Sequence, residues 1–130
     1  MAVDFFAAGA PTQNDGDTIS LAVPAGDLTG TICVAIINSN FNGGSATAAG
    51  WTEIASGNGN VAETLTVLWA RGENIGAGPI VFDITGSLGA YGVMLAFSGC
   101  VASGDAISAT GAIGRAAASV TITASTVTPL

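Results

Sequence analysis

The chain contains no histidine and no lysine, and its only cations are Arg71 and Arg115. These absences exclude Ser-His-Asp and Cys-His catalysis, Schiff-base lysines and the lysine of phosphate-binding loops. Carboxylate chemistry remains, but a glycosidase needs two acids about 5–9 Å apart across a sugar. The acids considered for such a pair are Glu53, Glu63, Glu73 and Asp83. Each falls on a strand or turn where a solvated carboxylate is expected, so we predict that the protein is not an enzyme.

Charge is also scarce, because charged residues make up 8% of the chain and the net charge is −7 at pH 7. Nucleic-acid binding requires clustered cations that displace counterions from phosphates. We therefore expect neither nucleic acid nor an anionic membrane as a partner. No apolar stretch reaches the roughly 20 residues of a membrane helix, and the start, MAVDFFAAGA, lacks the cationic region of a secretory signal. Folding in the cytoplasm is expected.

The only two cysteines, Cys33 and Cys100, lie far apart in apolar segments. Their spacing matches no zinc or thioredoxin-like pattern, which predicts buried free thiols. A disulfide stays open as the alternative if the two strands are neighbours. The oxygen-rich run QNDGDT at residues 13–18 is predicted to form an ordinary Asx turn rather than a calcium loop. We predict no metal and no other cofactor.

Apolar residues do alternate with polar or small ones along most of the chain, and Gly, Asn, Asp or Pro interrupt the runs. This period of two predicts strands in segments 17–24, 30–40, 51–56, 61–74, 79–86, 91–99 and 118–130. The segment 61–74 also has helical spacing, but its β-branched residues favour a strand. Asn58-Gly59 predicts a tight hairpin turn between two of the strands.

These strands predict an all-β fold, an antiparallel, jelly-roll-like β-sandwich of about seven to eight strands. We expect one domain over residues 1–130, with an N-terminal arm at 1–16 and an Ala/Gly-rich loop or arm at 101–118. The segment 30–40 is apolar on both faces and predicts a central strand covered on both sides, with another subunit as one candidate cover. The last strand is expected to complete its own sheet or a neighbour's.

The alternation also predicts which side chains point into the core. The aromatic residues assigned to the core are Trp51, Trp69, Phe82 and Phe97. In segment 79–86 the inward set is Ile80, Phe82 and Ile84, and in segment 91–99 it is Tyr91, Val93, Leu95 and Phe97. Arg71 is expected to pair with Glu63, Glu73 or Asp83.

Several short motifs occur in a familiar order over roughly residues 17–105. They are Ala25-Gly26-Asp27, Gly50-Trp51-Thr52, Trp69 to Arg71, Ile80 to Ile84, and Gly92 to Gly99. This order resembles a β-sandwich module of tail-associated and other virion-surface proteins of tailed bacteriophages. The chain differs from that module in lacking a proline before Gly50-Trp51, in having Cys33 and Cys100, and in ending after one further strand.

The resemblance implies a bacteriophage virion structural protein, and the small size favours a capsid decoration (cement) protein that stabilises the particle. Such a protein is assembled in the host cytoplasm, lies on the virion surface, and binds the major capsid protein and copies of itself. We expect its contacts to come from Val3, Phe5, Phe6 and Arg115.

The main alternative is a tail-associated host-adhesion or carbohydrate-binding module that binds a glycan of the host surface. The polar and aromatic loop residues predicted for that contact are Phe41, Asn40, Asn42 and Asn58, and Asn38 belongs to the same Asn-rich run. A fragment of a bacterial surface adhesin is a third possibility.

Overall fold

A computed structural model describes residues 2–40, 45–58 and 63–104 of the chain. The predictions for Phe41, Asn42, Arg115 and the last strand lie outside these ranges. Within them the strands are β1 (Asp4–Ala8), β2 (Thr12–Asn14), β3 (Thr18–Leu21), β4 (Ile32–Ser39), β5 (Thr52–Asn58), β6 (Thr64–Arg71), β7 (Ile80–Asp83) and β8 (Ala90–Ser98). A single 3₁₀ turn, Gly72–Asn74, follows β6. The all-β prediction is confirmed, including the strand assignment for segment 61–74.

The strands form two antiparallel sheets. In the large sheet the order is β1-β8-β4-β6-β5, and β2 also pairs with β8; the small sheet is the pair β3-β7. The small sheet packs on one side of the large sheet, which we call the inner face, and we call the opposite side the outer face. The protein is therefore an antiparallel β-sandwich, while the jelly-roll connectivity stays a prediction.

The core between the sheets combines bulky side chains from the small sheet with many small ones from the large sheet. Ile19, Leu21 and Phe82 of the small sheet are fully buried. Opposite them, the inner face carries Cys33, Ala35, Ile37, Leu68, Ala90, Gly92, Met94 and Ala96. A Cβ atom at Gly92 would lie 2.9 Å from Leu21 Cδ2, closer than such atoms pack. The sheets thus approach closely because bulk on one side meets small residues on the other.

The orientation predicted for β8 is wrong. Gly92, Met94 and Ala96 point into the core, and the bulkier Val93 and Leu95 lie half-buried on the outer face. Trp69 and Phe97, both predicted as core residues, lie on that outer face as well. Alternation identifies which residues share a face, but the fit to the small sheet decides which face is covered.

The other two aromatic core predictions agree with the structure. Phe82 is fully buried, and Trp51 packs against the core with its ring centroid 5.1 Å from that of Phe82 at an interplanar angle of 67°. This edge-to-face arrangement is one that aromatic pairs prefer. Gly50, at a φ of 80°, turns the chain just before Trp51. Trp51 is therefore a packing residue at the end of the sandwich.

The N-terminal segment predicted as an arm instead extends the large sheet. β1 and β2 both pair antiparallel with β8, and the register shifts between Phe5 and Ala7. This irregularity and the shortness of β2 explain why the segment shows no clean alternation. The N-terminus is part of the sandwich.

The predicted hairpin between the fifth and sixth strands is present, but its turn is longer than expected. Asn58 pairs with Thr64, so the connection exceeds the two residues of a tight Asn58-Gly59 turn. A register shift between Glu53 and Ala55 accounts for the unclear alternation of this segment in the sequence.

Candidate functional site

The outer face of the large sheet carries a continuous apolar surface across its three middle strands. Val34 on β4 lies between Trp69 and Leu95, and the next outward residue, Ile36, lies between Val67 and Val93. All six side chains are half-buried rather than fully buried. We call this set the apolar patch.

Among the described residues, no strand packs over the apolar patch. The partly buried apolar side chains that pack against the core come from the small sheet and the loops and lie on the inner side. They are Val23, Leu28, Ala48, Trp51, Ile75 and Ile80. At about 4.8 Å between strands and 3.3 Å per residue, three strands over six residues present roughly 300 Å². A patch of this size on a protein surface usually marks an interaction site.

Exposed apolar residues of the N-terminal strand extend the apolar patch at one corner. Val3 and Phe5 each expose 61% of their surface, and Phe6 exposes 42%. The Phe5 ring contacts Phe97 edge-on with centroids 6.1 Å apart. The structure therefore places Val3 and Phe5 beside the apolar patch. Phe6 instead packs toward Gly26 in the loop between β3 and β4, where a Cβ atom would lie 3.0 Å from the Phe6 ring. The fourth predicted interface residue, Arg115, lies outside the described residues.

Arg71 lies at the same end of the outer face and binds backbone oxygens rather than an acid. Its guanidinium donates to the carbonyl of Val101 at 2.8 Å and to that of Gly104 at 2.7 Å. Its central carbon is 5.9 Å from the centroid of the Trp69 ring. The predicted ion pair with Glu63, Glu73 or Asp83 is wrong, and Arg71 instead holds residues 101–104 beside the apolar patch.

The opposite end of the outer face is polar. Gln13, Tyr91 and Asn38 are cross-strand partners on β2, β8 and β4, and all three are exposed. They line a cleft of about 470 Å³ together with Asn40, Glu63, Gly89 and Ala90. A backbone hydrogen bond fixes Asn40 in this position, because its N–H donates to the Gly89 carbonyl at 2.8 Å.

Of the residues predicted for a glycan contact, the structure thus places Asn40 in this polar cleft. Asn58 ends β5, and Phe41 and Asn42 are outside the described ranges. Asn38, from the same Asn-rich run, also lines the cleft. The sequence analysis missed Gln13, Tyr91 and Glu63 as residues of this site. The signal in the sequence was a polar or aromatic residue, Asn38 or Tyr91, near one end of an otherwise apolar strand. That the two residues are cross-strand partners depends on the strand order, which the sequence does not show.

Several of the acidic residues accept hydrogen bonds from nearby groups of the chain. The pKa of Asp83 is lowered mainly by a hydrogen bond from the Thr85 side chain and, to a smaller extent, by one from the Thr85 backbone N–H. Thr29 lowers the pKa of Asp27 in the same way. The Glu53 carboxylate accepts a hydrogen bond from the Ser56 hydroxyl at 2.6 Å. Over the described ranges, no group of three or more Cys, Asp or Glu side chains is placed to hold a metal ion.

Side-chain hydrogen bonds hold the segment around Asp17, but neither of them is the side-chain-to-backbone bond of the predicted Asx turn. The Asn14 side-chain amide donates to the Thr18 carbonyl, and an Asp17 carboxylate oxygen accepts from the Gly86 N–H at 2.8 Å. Both cysteines are free thiols, as predicted, with Cys33 buried and Cys100 partly buried. Burial raises the pKa of the Cys33 thiol, and a hydrogen bond with Thr31 opposes that shift.

Comparison with known proteins identifies no relative. No family model, no curated protein and no solved structure matches the chain. No helix in the described part of the chain is long and apolar enough to cross a membrane.

Proposed function

We propose that the protein is a structural protein of the bacteriophage virion surface, a capsid decoration protein that binds the major capsid protein and copies of itself. The observation that carries this proposal is the apolar patch on the outer face. The half-buried Val, Ile, Leu and Trp side chains of this face still contact water, and completing their burial is favourable. Full burial of an exposed side chain of this kind contributes about 1.5–3 kcal/mol, and a half-buried one gains correspondingly less. A partner surface supplies that burial.

The low charge of the protein supports the same role. With 8% charged residues, the surface has few groups whose desolvation would oppose close packing with neighbours. The exposed Val3 and Phe5 enlarge the patch toward the edge strand β1. Interfaces between protein subunits concentrate aromatic and aliphatic side chains at their centres.

The resemblance to virion-surface modules adds the location. Its motifs fall on residues with structural roles in this fold, such as the turn at Gly50 and the packing of Trp51 on Phe82. Motifs of this kind support a shared fold. Because a fold alone does not determine a function, the virion surface enters the proposal from the resemblance only.

The test measures binding of the purified protein to mature capsids by co-sedimentation and the melting temperature of the particles. Val34→Asp puts a charge at the centre of the apolar patch, and Val81→Asp is the matched control on β7, where Val81 is 55% exposed. We expect wild type and Val81→Asp to bind stoichiometrically and raise the melting temperature. Val34→Asp should lose both effects.

Folding of Val34→Asp is checked by circular dichroism, and Val34→Thr provides a milder change of nearly the same volume if the aspartate unfolds the chain. Sedimentation of the free protein reports self-association in parallel. Binding to tails alone, no binding to capsids, or equal binding by the Val34 and Val81 variants would each contradict the proposal.

A further inference from the structure

We infer that the polar cleft at the end of the outer face binds a neutral glycan, with Tyr91 as the stacking platform. The cleft is formed by Gln13, Tyr91 and Asn38 in one cross-strand row, and by Asn40 and Glu63 beside it. This binding function goes beyond the proposed structural role and does not depend on it.

Tyr91 offers the apolar surface that a sugar ring requires. It exposes 55% of its surface, although it lies on an interior strand of the large sheet, near the start of β8, rather than on a loop. A pyranose presents a face of C–H groups that packs on an aromatic ring, while its edge carries hydroxyls. An aromatic residue flanked by polar side chains matches both parts of such a ligand.

Gln13 and Asn38 supply the hydrogen bonds on either side of that platform. As direct cross-strand neighbours of Tyr91, their Cβ atoms lie about 5 Å from its own. Each primary amide donates through its NH₂ and accepts through its oxygen, which suits adjacent sugar hydroxyls. Within the described chain, no hydrogen bond joins these three side chains to another protein group. Their polar atoms are therefore available to a ligand.

The cleft is also preformed. Its three central residues lie on paired strands. The backbone of Asn40 also makes two hydrogen bonds to the neighbouring loop: its N–H donates to the Gly89 carbonyl at 2.8 Å, and its carbonyl accepts from the Leu88 N–H at 3.3 Å. A site on rigid strands loses little conformational entropy on binding. With a volume of about 470 Å³, the cleft is a shallow and open depression, which suits a sugar ring lying across its surface.

Charge selects the class of glycan. Of the lining residues, Glu63 is the one carboxylate and none is a cation. Arg71 lies on β6, in the same cross-strand row as Ile32 and Phe97. Because Phe97 follows Tyr91 by six residues on β8, this row is roughly 20 Å from the cleft. With a net charge of −7, the protein repels anionic sugars. Neutral hexoses and N-acetylhexosamines are therefore the expected ligands, in preference to sialylated or uronate-containing glycans.

The experiment applies the purified full chain to an array of neutral and anionic oligosaccharides, then titrates the best ligand by NMR. We expect binding to neutral glycans with a dissociation constant on the order of 0.1–1 mM and shift changes at Gln13, Asn38 and Tyr91. Tyr91→Ala and Asn38→Ala should each weaken binding about tenfold or more. Tyr91→Phe keeps the ring and should stay within about threefold. Val81→Ala, on the far side of the small sheet, is the matched control and should bind normally.

Because Tyr91 and Asn38 are exposed, these variants are expected to fold, and their melting curves verify it. Absence of glycan binding, preference for anionic glycans, or binding that survives both alanine variants would overturn the inference. Capsid binding is measured on the same variants and should be unchanged. A protein that binds glycans through Tyr91 but not capsids would refute only the decoration role, and the reverse result would refute only the glycan site.

Discussion

The two faces of the large sheet use their residues in opposite ways. The inner face has small residues such as Ala35, Gly92 and Ala96, and the small sheet fills the space with Ile19 and Phe82. The outer face has the bulkier side chains of the same strands, and no described strand covers them. Residue size alone therefore does not tell which face of a strand is buried.

The difference follows from how the two sheets fit together. A two-stranded sheet is too narrow to bury a wide apolar face unless it lies close to it, and close approach requires small side chains beneath it. The bulky residues of the central strands then occupy the other face, where they are available to a partner. The inner face specifies the fold, and the outer face is the surface that we propose for assembly.

The largest expected difference between the faces comes from two neighbouring isoleucines on β4. Ile37 is fully buried on the inner face, whereas Ile36 is half-buried on the outer face. Ile37→Ala should lower the free energy of unfolding by about 2–5 kcal/mol, and Ile36→Ala by about 1 kcal/mol because less surface is lost from burial. Urea denaturation of the free chain measures both. Equal losses would show that the outer face is covered within one chain.

The sequence predicted the strands well because alternation reflects the pleat of each strand separately. It also predicted Ile80, Phe82 and Ile84 as inward residues, since most of the apolar side chains of the small sheet lie on its inward face. It failed for β8, where both faces are apolar or small and only the partner sheet decides between them. A property of one strand could be predicted from its own residues, but a property of the packing could not.

The candidate site was predictable to a similar degree. The exposed positions of Phe5 and Phe6 followed from their place in a short apolar segment, although their pairing with β8 did not. Asn40 was predicted for a glycan contact, yet its partners Gln13 and Tyr91 come from strands distant in sequence. Cross-strand rows depend on strand order and register, which no local motif encodes.

Added volume should also distinguish the two faces. Gly92→Val places two methyl groups and a Cβ against Leu21 and Ile37 on the inner face, where the Cβ alone is 2.9 Å from Leu21 Cδ2. We expect a loss of about 1–3 kcal/mol from overpacking. The neighbouring change Val93→Ile adds one methylene to the open outer face and should alter stability by less than about 0.5 kcal/mol. Thermal denaturation compares the two, and an equal loss in both would contradict the close fit of the inner face.

Substitutions of Arg71 show how much its hydrogen bonds contribute to holding residues 101–104 at the edge of the outer face. Arg71→Ala removes both carbonyl contacts and should cost about 1 kcal/mol. Arg71→Lys is the informative comparison, because one ammonium group cannot reproduce the two-pronged geometry and should recover little of the loss. Hydrogen exchange at residues 101–104 should accelerate in both variants. Unchanged exchange would mean that other contacts hold this segment.

Acid should have the smallest effect, because neither the core nor the apolar patch contains a carboxylate. The pKa of Asp83 is lowered from its usual 3.8 by Thr85, so its ionised form favours the folded chain. That contribution is fully present above the unfolded-state pKa and is lost as the pH falls through the lower folded-state pKa. Urea midpoints from neutral pH to about pH 2 should therefore show wild type more stable than Asp83→Asn at neutral pH, with the difference narrowing below pH 3.8.

Asp27→Asn is the matched variant, since the Thr29 hydrogen bonds lower the pKa of Asp27 in the same way. A gap that stays constant with pH would assign the effect to the amide substitution rather than to the charge, and a large loss of stability in acid would reveal a carboxylate that supports one of the two faces.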